Sequence, residues 1–288
     1  MRFWGKLHLS ADNNCAMLPL AHHCIDVASV FRALCDLPGV RHGLVGALAN
    51  GDASEVLLDR LAVFALLHDI GKCNIGFQAK RDPSARNTAG HVREVLPLFL
   101  EDSLREKAIQ AIGLHEMGNW FIEPDSLFNL LLVSISHHGK PAFIWDAADG
   151  NDIRAMLRHW RPDGNLDPFV GLSELGDTAR RVFPRAFQES APPMVVSIEL
   201  EHRFAGLVML ADWLGSHREA FFPFEHEGDR IEWSRQQARK ALAAVGLDVA
   251  QARHHIAKGL PSFGTVFNLN AEPRPLQATL ASADLRHC

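Results

Sequence analysis

Leu67-His68-Asp69-Ile70-Gly71-Lys72 is the stretch on which the reading of this chain turns. An adjacent histidine and aspartate at a helix end can offer an imidazole nitrogen and a carboxylate oxygen to one metal ion. The second carboxylate oxygen stays free for another. Gly71 lets the backbone turn away tightly behind the pair. Upstream, Leu57, Leu61, Phe64 and His68 fall at i, i+4, i+7 and i+11, which is one helical face. The histidine therefore ends an apolar stripe and points inward, where a charge must be paired or metal-bound.

The same pattern recurs. His23, Val27, Val30 and Leu34 share one face, and so do Leu127, Leu131, Ser134 and His138. Gly139 and Pro141 stop the helix that carries His137 and His138. Further helices are expected at 91–100, opened by His91, and at 104–114, behind a capping box from Ser103 to Glu106. Two more are expected at 198–214 and at 232–245, the latter closed by Gly246. Strand signals are sparse; Val195–Ile198 reads as the approach to a helix. The stretch 140–193 is rich in proline and glycine and reads as an irregular insertion with two short helices. The tail from about 260 reads as a linker. The expected fold is all-α.

A lone histidine on an apolar face is usually a hydrogen-bonded core residue. Several inward His and Asp residues at successive helix ends are harder to explain by packing. The donors number seven: His23, His68, Asp69, His91, His137, His138 and Asp212. That is too many for one ion with an open position, and it suits two ions sharing a carboxylate, with Asp69 as the natural bridge. Imidazole and carboxylate without thiolate suit iron, manganese, nickel, cobalt or zinc. Two such divalent transition-metal ions clamp a phosphoryl displacement, so phosphoester hydrolysis is the expected reaction.

Composition removes other classes. The 288 residues are 47% hydrophobic and 22% charged, an ordinary globular balance. Net charge is -5, so the chain is not a basic nucleic-acid coat. The five cysteines form no CxxC pair, which argues against a disulfide framework or a cysteine-zinc site. No apolar run is long enough for a membrane span, and the start lacks a signal core. A cytoplasmic protein is expected.

These residues resemble the HD superfamily of metal-dependent phosphohydrolases, and within it the HD nuclease domain of the type I CRISPR-associated helicase-nuclease. The resemblance rests on His23-Cys24-Ile25-Asp26-Val27-Ala28, on Leu67 to Lys72 followed by Phe77-Gln78-Ala79-Lys80, and on His91. It rests further on His137-His138-Gly139-Lys140-Pro141, on Ala211 to Ser216, and on the opening Trp4-Gly5-Lys6. Cys24 in place of serine and His217 after Ser216 are departures.

The resemblance implies an HD-domain helical bundle over 1–225, with 226–288 as a helix plus linker. Pro273-Arg274-Pro275-Leu276-Gln277 is similar to the glutamine motif that opens a helicase domain. No GxxxxGK[ST] loop is present, so ATP hydrolysis is not expected of this chain. One ion would sit on His23, His68, Asp69 and Asp212, and the second on Asp69, His91, His137 and His138. Asp69 and Lys72 would be catalytic, Lys72 by facing the scissile phosphate. The substrate would be single-stranded DNA, and the partners a helicase domain or subunit and an RNA-guided surveillance complex. Lys80, Arg81, Arg86 and Arg93 are candidates for a cationic groove, as are Arg154, Arg158, Trp160 and Arg161. His115 is an extra, read as a surface residue. Two other readings compete: a small-molecule phosphohydrolase acting on a nucleotide, and a docking module that keeps metals for stability.

Overall fold

Helix α1 (Leu20–Asp36) is buried on almost every side, the pattern of a central helix rather than a surface one. The computed structural model describes residues 3–9, 15–48, 54–139, 150–188, 191–226, 228–250, 254, 264, 270 and 272–282. After α1 come α2 (Pro38–Ala47), α3 (Glu55–Leu66), α4 (Ile75–Gln78), α5 (Pro97–Leu100) and α6 (Asp102–Ile112). They are followed by α7 (Leu114–Gly118), α8 (Ser126–Ile135), α9 (Gly150–Leu157), α10 (Pro168–Val182), α11 (Ile198–Gly215) and α12 (Arg230–Ala244). The chain divides into two compact units, Met1–Ala244 and Val245–Cys288. In the second, the described helix is α13 (Pro275–Ser282), inside the stretch expected to be a linker.

The first unit is an all-α bundle with one small hairpin. Its core joins Phe31, Phe64 and Phe204, all fully buried, and Phe31 meets Phe204 edge to face at 5.4 Å. Cys24, Cys35 and Cys73 are free and buried. Among the described residues no helix is long and apolar enough to cross a membrane.

Several expectations change in instructive ways. The hairpin of β1 (Trp4–Leu9) and β2 (Cys15–Pro19), antiparallel with Leu7 opposite Met17, has no counterpart in the sequence reading. Its strands are short and β1 is interrupted by Gly5, so local propensity is weak. Tertiary bonds hold it instead: Trp4 donates its backbone N–H to Gln78 Oε1 and its indole N–H to the Gln78 carbonyl. The helix expected over 91–100 is split into a 3-10 turn, Arg93–Val95, and the short α5, because Pro97 interrupts it. The capping box is absent: α6 starts at Asp102, which puts Ser103 inside the helix, and Glu106 instead accepts from Gln110.

The stretch read as irregular contains α10, a 15-residue core helix that buries Leu172, Leu175, Ala179 and Val182. Pro168 stands at its first turn, and Asp167 caps it by accepting the Phe169 N–H at 2.9 Å. The proline that looked like a break is a helix start. Residues 140–149 lie outside the described residues.

Helix α12 is fastened to α1 through one carboxylate. Asp26 is fully buried and accepts from Arg230 at 3.0 and 2.6 Å, from Arg218 at 2.8 Å and from Ser234 at 2.6 Å. Removing one partner of such a network leaves uncompensated charge in the interior. Asp26→Ala is therefore expected to destabilise the first unit by about 3–5 kcal/mol in urea unfolding, and a loss under about 1 kcal/mol would mean the network is incidental. Asp26→Asn, which keeps one acceptor oxygen and turns an amide donor toward the arginines, is expected to lie between.

Candidate metal centre

Helix α3 ends at Leu66 and the chain continues as a 3-10 segment, Leu67–Cys73. Asp69 leaves helical geometry there, at φ −110 and ψ 22. The His68-Asp69 pair thus sits where the backbone changes course, with both residues at 0% exposure. His23 comes from the first turns of α1, and Asp212 from the last turn of α11. His137 and His138 lie just past α8, which stops at Ile135 rather than running to His138. His91 precedes the 3-10 turn before α5.

Gly71 has a different task from the one read in the sequence. A Cβ there would sit 1.7 Å from the His91 carbonyl oxygen, so the glycine admits the His91 backbone. Asn74 ties the same two segments, donating to the Gly71 carbonyl at 2.7 Å and the Gly90 carbonyl at 2.8 Å.

The seven donors form one cluster around Asp69. Its Oδ2 is 3.0 Å from His23 Nε2 and 3.1 Å from His68 Nε2. Its Oδ1 is 3.4 Å from His91 Nε2 and 3.8 Å from His137 Nε2. The carboxylate thus stands between two pairs of imidazoles. Asp212 closes one side, at 3.5 Å from His23, 3.8 Å from His68 and 3.9 Å from His137. His138 closes the other, 3.0 Å from His91, and is exposed. Three overlapping groups of donors each lie within 4.8 Å: His23 with His68 and Asp212, His68 with Asp69 and His137, and His91 with His137 and His138.

Whether a metal fits is decided by the unsatisfied atoms. His23 Nε2, His68 Nε2 and both oxygens of Asp69 are buried without a hydrogen bond of good geometry. Folded proteins rarely leave such atoms orphaned, and here four of them meet in one place. Two rings are set for ligation: Nδ1–H of His68 donates to the Ala65 carbonyl at 2.9 Å, and that of His137 to the Ser134 carbonyl at 3.0 Å. This fixes the tautomer that leaves an Nε2 lone pair facing the centre. His23 is different. Arg218 can only donate, so its 3.0 Å bond to His23 Nδ1 leaves the ring proton on Nε2. Ligation through that nitrogen requires Arg218 to release Nδ1.

Electrostatics suit cation binding. Burial lowers the His91 pKa to about 3, and burial with neighbouring His68 lowers that of His137 to about 4. Burial, then Lys72 and Lys6, pushes His23 well below its usual value. Burial alone would raise the Asp69 carboxyl, but Lys72 and the adjacent histidines more than offset it and hold it well below the usual range. For Asp212, His68, His23 and Lys6 likewise outweigh burial and lower the pKa. His23, His91 and His137 are thereby held neutral, and Asp69 and Asp212 ionised.

The other expected residues are placed as follows. The Lys72 ammonium is buried, 2.6 Å from Asp69 Oδ2 and donating to the Gly5 carbonyl at 3.1 Å. Lys80 lies over the Phe77 ring, whose centroid is 5.1 Å from that of His91. Arg81, Arg86 and Arg93 are exposed on the segment between α4 and α5, and Arg154, Arg158 and Arg161 on the segment around the end of α9. Trp160 is no stacking platform: it is 1% exposed and donates its indole N–H to the Glu94 carbonyl at 2.6 Å. Its cationic neighbours suggest a platform, but burying its ring removes far more apolar surface from water. His115 is exposed and near Glu106. Two residues were missed. Lys6 reaches to 3.9 Å from Asp212, and Arg218 bridges His23 and Asp26. Only the tertiary fold reveals either contact.

A family model described as "Cas3, HD domain" matches residues 4–221. No curated protein matches. Among solved structures, one described as a CRISPR-associated protein is 22% identical with a TM-score of 0.66; the match covers 98% of this chain and 31% of that one. A Thermus thermophilus cas3 HD domain, solved in the presence of Ni2+, is 24% identical with a TM-score of 0.56, covering 80% of this chain and 85% of that one. A T. fusca Cas3 with ATP is 18% identical with a TM-score of 0.52, covering 97% and 30%. At these identities the structural likeness speaks for the fold. The chain spans about a third of the length of the first of these proteins.

The lowered histidine pKa values set a pH dependence. In the unfolded chain His91 and His137 take up protons near 6.5, whereas in the folded protein they do so only near 3 and 4. Their contribution to stability is complete above about pH 6.5 and is lost as pH falls toward those folded values. The urea midpoint of metal-free protein in chelator is expected to fall steadily from pH 7 to pH 5. A flat profile over that interval contradicts the buried neutral state of these rings.

Proposed function

The chain belongs to the Cas3 HD-domain family of metal-dependent phosphohydrolases, and from that premise we propose that it is a nuclease hydrolysing phosphodiester bonds of single-stranded DNA with two divalent transition-metal ions. The observation that carries the reading is the position of Asp69 between two imidazole pairs, with both of its oxygens unsatisfied. One ion would be held by His23, His68, Asp69 and Asp212, and the other by Asp69, His91, His137 and His138. Bound there, the ions supply an activated water and neutralise charge on the phosphoryl oxygens.

The protein's own residues do the rest. His68 and His137 are kept in the ligating tautomer by carbonyls of their own turns. The burial gradient gives the site a floor and a mouth: His23, His68 and Asp69 are fully buried, whereas His91 is partly and His138 largely open to solvent. Substrate therefore approaches from the His91–His138 side. Lys72 lies against Asp69 and the Gly5 carbonyl at the floor. It acts on the centre by balancing charge, and it reaches a phosphate only by leaving those partners.

A polynucleotide is favoured over a free nucleotide because the donors at the mouth, His91 and His138, are open to solvent. A cavity of about 450 Å3 meets the centre at His137 and runs along α8 and α11 past Val133 and Met209. Lys80, Arg81 and Arg93 are the cations proposed to guide the strand to it. Similar structures include a T. fusca Cas3 with ATP and a CRISPR RNA-guided surveillance complex before nicking. We read this chain as acting in the cytoplasm beside a helicase domain or subunit, on a strand that such a complex exposes.

The test compares single-stranded DNA with a panel of nucleotides, using manganese or nickel. DNA turnover is expected, with two ions per chain by metal analysis. Asp69→Ala and His137→Ala are expected to lower turnover by about 10²-fold or more while the far-ultraviolet spectrum stays helical. Turnover of a nucleotide but not of DNA selects the small-molecule reading. Unchanged DNA turnover in a folded Asp69→Ala protein selects the docking-module reading.

A further inference from the structure

Away from the metal donors, α1, the start of α3, the end of α10 and α12 surround a cavity of about 440 Å3. None of the seven donors lines it. Its charges divide into a matched and an unmatched set. Asp36, Glu55 and Asp59 are matched by three guanidiniums: Arg32 pairs with all three, Arg41 with Asp36 and Glu55, and Arg185 with Glu55 and Asp59. Arg235 and Arg239 remain, both lining the cavity from α12. Arg235 donates one N–H to the Val182 carbonyl at 2.8 Å and has others to spare. Arg239 is exposed and has no hydrogen bond or ion pair among the described residues.

Two further observations point to a ligand. Arg235 and Arg239 are one helical turn apart, and like charges so spaced weaken a helix unless an anion lies between them. The residues a turn from Arg239 are Arg235, Gln236, Leu242 and Ala243, so the helix supplies no carboxylate for it. The second observation is Ser29. It is 3% exposed, it lines the same cavity, and its hydroxyl has no hydrogen-bond partner. A serine inside a helix ordinarily satisfies its hydroxyl on its own backbone, and a buried hydroxyl without a partner is uncommon.

We propose that this cavity binds a small phosphate ester in its dianionic form. Arg235 and Arg239 match its two charges, and Ser29 donates to one of its oxygens. The cavity falls in the range that holds small ligands, and Val182, Phe183 and Pro184 add an apolar surface for the ester group.

Thermal unfolding with a chelator present, so that the metal centre takes no part, tests the site. Inorganic phosphate and a deoxynucleoside monophosphate, each at several times its dissociation constant, are expected to raise the midpoint by about 2–4 °C. Sodium chloride at equal ionic strength is not. Arg239→Ala and Ser29→Ala are expected to fold normally and to lose most of the rise; Ser29→Ala, which removes an orphaned hydroxyl, has no stability to lose without ligand. The proposal is overturned if both variants keep the full rise, if chloride reproduces it, or if only a single-stranded oligonucleotide, whose phosphodiesters are monoanionic, gives a rise that depends on Arg239.

Discussion

A carboxylate at zero exposure must be balanced by something, and much of the first unit is arranged to balance Asp69. Lys72 lies against one oxygen, and four imidazoles stand within 3.8 Å of the two. To bring them there, the chain uses the ends of α3 and α8, the start of α1 and the loop before α5. Helix ends suit this purpose because backbone carbonyls are free there. Those carbonyls orient His68 and His137. Asp212, near the end of α11, adds a second carboxylate.

Lys72 and Lys6 resolve an apparent contradiction. Two lysines beside a cation-binding centre repel the ions they adjoin, and their charge helps to lower the pKa of His23. Without ions, however, they offset the charge of Asp69 and Asp212 and make the empty fold tolerable. Ion binding would then displace a positive charge already in place. The hairpin gains a purpose from this, since β1 contributes both Lys6 and the Gly5 carbonyl that holds Lys72. Gln78 locks that strand to the 3-10 segment by accepting from the Trp4 N–H and donating to the Trp4 and Lys72 carbonyls.

How much of this could be read from the sequence depends on whether a contact is periodic or tertiary. The helices beside His23 and His68 are legible because apolar residues repeat at helical spacing, with the polar residue at one end of the stripe. The all-α class followed from the same periodicity. What failed was punctuation and context. Prolines in 140–193 read as breaks, yet Pro168 opens α10; Pro97 divides the helix expected after His91. Trp160 was assigned by its neighbours in sequence, but its neighbour in space is the Glu94 carbonyl. Gly71 was read as a turn, whereas its constraint is the His91 carbonyl, twenty residues away in sequence. The hairpin and Arg218 depend wholly on such distant partners.

One feature of α1 links the centre to the rest of the unit. His23, Asp26, Ser29 and Arg32 are spaced by three residues, each buried or nearly so. Three residues fall 60° short of a full helical turn, so the polar stripe winds around α1 instead of following one face. Each position therefore meets a different neighbour. His23 faces Asp69, Asp26 receives α12, Ser29 opens on the arginine-lined cavity, and Arg32 ties down the start of α3. Arg218 touches the first two positions together, bonding to His23 and Asp26. The same Asp26 carboxylate takes the Arg230 and Ser234 side chains of α12, so His23, Arg218, Asp26 and α12 form one continuous polar chain through the core.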